Sequence, residues 1–238
     1  DAYKGINVYA KSTFIGDGRE LTKLKVIASS ITVATPNSAV ILAHTESRVA
    51  NLTVDGNRSQ VNGTPLGDTR TQLIRTQNKA NDVLFEGLRV TEGYGKNVES
   101  CALSINQSSG TTVRDVEAIN NDGSGISISG DYYGVWSNNV TISKVLVHHN
   151  GWTGITFYGA QSSSATGITA YSNITGINVE WSKNLTIRDS LAYDNIDAGI
   201  GGHGVSEGIL FERVESRGFV SDSSPGDTVH FTWAYWRA

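Results

Sequence analysis

Tyr158, Glu180 and His203 stand 22 and 23 residues apart, each three positions after an isoleucine: Ile155, Ile177 and Ile200. A phenol, a carboxylate and an imidazole brought together form a proton-transfer constellation, in which the carboxylate orients its neighbours and raises their pKa values. Such a set would supply a base, a proton donor and an orienting group. Polar residues also cover any solvent-facing sheet, so a plain exterior face is the competing reading. What decides between them is whether the intervening elements place three distant residues side by side.

Those elements are repeats. Seven stretches share the same apolar columns, opening at Ile41, Ile74, Leu103, Ile126, Ile155, Ile177 and Ile200, with Val229 a candidate eighth. The spacing is 22 to 23 residues where nothing is inserted and 29 to 33 where a loop is. A second strand follows each opener, as in Val140-x-Ile142, Leu185-x-Ile187 and Ile209-x-Phe211, and then a third, as in Val145-x-Val147 and Val214. An asparagine closes several units: Asn121, Asn150, Asn173 and Asn195. A fixed period of this size describes an array whose units bury their faces against one another. Three short alternating strands per unit predict an all-β chain, a parallel β-helix of about seven to eight coils. Successive coils then lie about 4.8 Å apart, and outward residues at equivalent positions become neighbours.

Two outward columns follow from alternation. The first reads His44, Gln77, Asn106, Ser129, Tyr158, Glu180, His203, Thr232; its companion reads Ser104, Ser127, Thr156, Asn178, Gly201, His230. Tyr158, Glu180 and His203 fall on consecutive coils and are the candidate catalytic residues, with Asn106, Asn178 and His230 as candidate substrate contacts. Gly201, Gly202 and Gly204 are expected to leave room for a ligand. An insertion after the strand opened by Ile126, from Asp131 to Trp136, carries Tyr132, Tyr133 and Trp136. Aromatic rings on a loop beside a polar groove suit sugar stacking; the alternative is that they fold back onto the flank. Trp152 and Tyr94 are candidates to extend that surface.

The remaining signals bound the function. A net charge of −4 without a basic stretch argues against a nucleic-acid partner, and no apolar run reaches the length of a membrane span. The repeat runs nearly end to end, which predicts one elongated domain over residues 1–238. Cys101 is the sole cysteine, so an intrachain disulfide is excluded and a small buried thiol is expected. Asn-x-Ser/Thr occurs at Asn51, Asn57, Asn62, Asn106, Asn139, Asn173 and Asn184 and reads as turn followed by strand rather than as glycan acceptor. The coil-closing asparagines are expected to form a stacked ladder. Asp55-Gly56-Asn57-Arg58 reads as a turn, and His148-His149 as a solvent-facing pair rather than metal ligands; no metal site is expected from spacing. With no methionine, a start at Asp1 and no visible signal peptide, the chain is expected to be a mature product or an excised module. Open end coils would need a plug of aromatic residues, a homotrimer or additional domains.

The pattern Gly176-Ile177-Asn178-Val179-x5-Leu185-Thr186-Ile187-Arg188-Asp189-x-Leu191-Ala192-Tyr193-x-Asn195 resembles the right-handed parallel β-helix, or pectin-lyase-like, superfamily. Within it, a segment like Val8-Tyr9-x4-Phe14-Ile15-Gly16-Asp17-Gly18 before Leu52-Thr53-Val54-Asp55-Gly56-Asn57-Arg58 is similar in order to mannuronan C5-epimerase modules. Their Tyr-Gly-Phe-Asp-Pro-His signature has partial counterparts here in Tyr94-Gly95-Lys96-Asn97 and Gly199-Ile200-Gly201-Gly202-His203. Gly202-His203-Gly204-Val205-Ser206 is similar to an element of polygalacturonases, without their accompanying aspartate motifs. The resemblance implies a secreted or phage-surface protein acting on a polysaccharide. Three activities fit it. Lyase or epimerase chemistry on a uronate polymer would use His203 as base, Tyr158 as proton donor and Glu180 to orient, with calcium a possible neutraliser of the sugar carboxylate. A tailspike-type glycoside hydrolase would pair Glu180 with Asp131 or Asp197. A non-catalytic array would bind glycan or build a fibre.

Overall fold

Apolar residues at a constant interval line up once the chain coils. In the computed structural model, which describes residues 5–26, 38–61, 71–95, 100–130, 134–219 and 229–237, the openers form one parallel ladder. Its rungs are Ile6, Ile41, Ile74, Leu103, Ile126, Ile155, Ile177, Ile200 and Val229. The ladder thus takes in the expected eight openers and Ile6 before them. From Ile41 to Ile177 every rung is fully buried. With Phe85, Ile128, Ile142, Phe157 and Ile187 they make a continuous apolar interior. All strands among the described residues join one parallel sheet system, and the sole helix among them is the single turn Arg58–Val61.

The second and third strands of a coil run together as one bent strand, as in Leu84–Thr91, Thr112–Ile119, Thr141–His148, Ala160–Tyr171, Lys183–Asn195 and Leu210–Phe219. The bend is one residue in the left-handed region: Gly87, Asp115, Lys144, Gly167, Asp189 and Arg213, with φ from 49 to 67°. Glycine and aspartate enter that region at low cost; lysine and arginine do so because the stacked corner dictates it. Arg213 also reaches back across one coil to Asp189, Nε to Oδ1 at 2.5 Å.

The asparagine ladder forms. Nδ2 of Asn121, Asn150 and Asn173 donates to Oδ1 of Asn150, Asn173 and Asn195 at 2.8, 3.0 and 3.1 Å. Each Oδ1 also accepts the backbone N–H of the previous member, and each Nδ2 bonds a carbonyl one coil back. The amides therefore satisfy corner groups that would otherwise be buried unpaired. Asn57 occupies the equivalent place two coils before Asn121, where its N–H takes Asp55 Oδ1 at 2.8 Å, the expected turn. Gly93 stands between them: a Cβ there would lie 2.6 Å from Asn121 Oδ1. Asn51, Asn57, Asn139 and Asn184 have positive φ, in keeping with the turn reading of the Asn-x-Ser/Thr sites, and Asn173 is wholly buried. Cys101 is a buried thiol.

Candidate functional site

The register assembles the first column. Asn106, Ser129, Tyr158, Glu180 and His203 are successive Cα partners on adjacent coils. Tyr158 and Glu180 end the strands Thr153–Tyr158 and Thr175–Glu180 and are both partly exposed. Interstrand spacing puts Tyr158 about 10 Å from His203 with Glu180 between them, and Asn106 as far again on the other side. Asn178 points to the same face and donates Nδ2 to Glu180 Oε1 at 2.6 Å. His230 is brought beside Gly201 by backbone register.

The companion column is not uniformly open. Ser127, Thr156 and Asn178 are partly exposed, but Ser104 is buried, as is its partner Arg75. The usable face starts at the Ser127 coil. Hydroxyls floor it there: Thr153 Oγ1 donates to Ser124 Oγ at 2.8 Å and lies 2.5 Å from Thr156 Oγ1.

Three expectations about the surroundings change. The space beside Gly204 is filled by the Trp181 ring: a Cβ on Gly204 would lie 2.5 Å from Trp181 Cε2. Gly204 thus seats an aromatic residue instead of leaving room for a ligand. Trp181 follows Glu180 directly, has φ 48° and is partly exposed. Trp136 is half-buried with Lys183 Nζ 5.7 Å from its ring centroid, and Tyr132 and Tyr133 lie outside the described residues. Tyr94 is buried, which pushes its phenol up to about 12, and it adds nothing to the surface. Trp152 is exposed but precedes the strand that Tyr158 ends, roughly 20 Å away at six residue steps.

Lys183, three residues after Glu180, brings a cation to the same corner; its Nζ is 3.9 Å from Glu207 Oε2. Nothing in the repeat pattern marks Trp181 or Lys183. Among the described residues no three His, Cys, Asp or Glu side chains gather where a cation could be held. Asp197 does not join Glu180. Its N–H bonds Ile174 O at the opposite end of the coil, six residues before His203, beyond the separations of about 5–9.5 Å that paired glycosidase carboxylates use. Asp131 lies outside the described residues.

Of the histidine pair, His149 is exposed as expected and His148 is not. His148 is buried, with Nε2 3.4 Å from Glu117 Oε1 and its ring stacked 4.5 Å from Tyr171, which stacks in turn on Tyr193 at 4.9 Å. Burial pulls the His148 pKa down, partly offset by Glu117. Burial opposes charge on Glu117 too, but its hydrogen bonds from Arg89 (Nε–Oε2 2.6 Å) and His148 outweigh it and hold the carboxyl below its usual range. Glu117 lies 31 residues before His148, a partnership visible only through the coil register.

A family model described as a right handed beta helix region matches residues 77–214. No curated protein matches the sequence. Among solved structures, the enzymatically active domain of bacteriophage CBA120 tailspike protein 2 is similar at TM-score 0.60 and 14% identity, over 98% of this chain and 41% of that one. A Geobacillus virus E2 protein, ORF18, is similar at TM-score 0.51 and 11% identity, over 94% and 49%. The Azotobacter vinelandii mannuronan C-5 epimerase AlgE4 A-module gives TM-score 0.47 and 12% identity, over 98% and 85%. The chain thus spans less than half the length of the two viral structures.

Proposed function

This chain belongs to the right-handed β-helix family, and from that premise we propose that it acts on an acidic, uronate-containing polysaccharide at Tyr158, Glu180 and His203, by lyase or C5-epimerase chemistry. The observation that carries the reading is the register Tyr158–Glu180–His203, with Asn178 bonded to the central carboxylate. In this account His203 removes the proton next to the sugar carboxylate. For a lyase, those electrons form a carbon–carbon double bond as the glycosidic bond breaks, and the departing oxygen takes a proton from Tyr158. For an epimerase, the same carbon is reprotonated from the opposite face. Glu180 orients the acid and the base, Lys183 offsets the sugar carboxylate, and Trp181 and Trp136 offer rings to neighbouring units. Asn106, His230, Tyr132 and Tyr133 extend the proposed contacts along the face. A polymer of this kind is met outside the cell, which is where this reading puts the protein, either secreted or on a phage particle.

The position of Asp197 at the far end of the coil supports lyase or epimerase chemistry over a paired-carboxylate hydrolase. The test is a screen of alginate, pectate, glycosaminoglycans and bacterial capsules, with and without calcium, following ultraviolet absorbance of unsaturated uronates, reducing ends and uronate composition by NMR. Absorbance and reducing ends rising together, or a change in uronate composition, and their loss in His203→Ala, are expected. Reducing ends alone would indicate hydrolysis, and silence in all three a binding or structural array.

A further inference from the structure

We propose that the corner where each coil closes holds a second glycan site, distinct from the Tyr158 column, in which a neutral sugar stacks on Trp152 and donates a hydroxyl to His149. A cleft of about 650 Å³ lies there, lined by Arg58, Asp122, His149, Trp152 and Ile174 among others. That volume is within the range of small-ligand sites. Trp152 is 43% exposed and lines the cleft with Ile174 of the next coil, an indole and an aliphatic residue beside polar walls.

His149 is held in one orientation by two neighbours. Its ring meets Tyr171 edge-on, centroids 5.7 Å apart at 84°, and its Nδ1 is 2.8 Å from His148 Nδ1. The tautomers follow from what each partner can accept. A carboxylate only accepts, so His148 Nε2, facing Glu117, carries hydrogen. Burial keeps His148 neutral, which makes its Nδ1 an acceptor and obliges His149 Nδ1–H to donate. With Nδ1–H donating, the ring's lone pair is on Nε2, an acceptor for a hydroxyl.

Charge selects the sugar class. Arg58 is already engaged by Asp122 Oδ1 at 2.8 Å and Glu92 Oε2 at 3.5 Å. One cation against two carboxylates leaves the cleft unfavourable to a uronate and open to a hydroxyl-rich neutral ring. The site lies at the opposite end of the strand Thr153–Tyr158 from the proposed catalytic column, and does not depend on that column being active.

The test is titration of the isotope-labelled chain with cellohexaose, mannohexaose, laminarihexaose and, for contrast, an oligoguluronate, followed by the His149 ring resonances and tryptophan fluorescence. The expected result is an Nδ1–H tautomer for free His149, and a ring shift with at least one neutral hexasaccharide but not with the oligoguluronate. Binding should be equal in wild type and Glu180→Gln and about tenfold weaker in Trp152→Ala. The proposal is overturned if no neutral probe moves His149 at millimolar concentration, if the oligouronate alone does, or if Trp152→Ala binds as the wild type does. The ring shift in the wild type decides it without reliance on a variant's folding.

Discussion

Asn178 and Glu180 lie two residues apart on one strand, and Nδ2 of the first donates to Oε1 of the second at 2.6 Å. Alternation turns both outward, so the bond fixes a carboxylate that otherwise would rotate freely at the strand end. Asn178→Ala removes the bond that positions Glu180 and should lower kcat/KM on the uronate substrate by about tenfold. Steady-state kinetics at constant thermal midpoint checks this.

Asn173 is wholly buried, donates to Val147 O, Tyr171 O and Asn195 Oδ1, and accepts from both nitrogens of Asn150. Asn173→Ala leaves several of those groups unpaired in the interior and should cost about 2–3 kcal/mol in urea unfolding. The exposed Ser164→Ala should change it by no more than about 0.5 kcal/mol.

Acid should weaken the fold in two steps. The folded-state pKa of His148 is below its unfolded value of 6.5, so the stability it contributes is present above that pH and is lost as pH falls through the folded value. Glu117, also lowered, gives up its contribution below its unfolded 4.5. Melting midpoints should therefore begin to decline near pH 6.5. In His148→Phe, which keeps a ring against Tyr171, the decline should begin only below about 4.5.

Gly204 has φ 75° and lies under the Trp181 ring. Gly204→Ala adds backbone strain and displaces the indole, and should cost about 1–3 kcal/mol while altering tryptophan emission. A variant with unchanged emission and stability would mean that Trp181 does not rest there.

The ladder from Ile41 to Val229 and the columns on either side of it were legible because a coil fixes the interval between equivalent residues, and alternation fixes the face. The asparagine ladder was legible for the same reason. Side chains at the corners were not. Trp181 occupies a left-handed position where a bulky residue is rare, so nothing local flags it. Lys144 and Arg213 bend strands with no turn residue to announce it. The burial of His148 needed Glu117 and Tyr171, which adjoin it only after the chain has wound one coil in each direction. Alternation alone also could not foresee that Ser104, although in an outward column, is covered.

The most direct test of the proposed chemistry compares wild type with Glu180→Gln on the uronate polymers, recording ultraviolet absorbance, reducing ends and uronate composition in one time course. The account predicts unsaturated ends or inverted uronates from the wild type, and at least a roughly hundredfold loss in the variant at unchanged folding. Reducing ends from the wild type without absorbance, or a Glu180→Gln variant as active as the wild type, would contradict it.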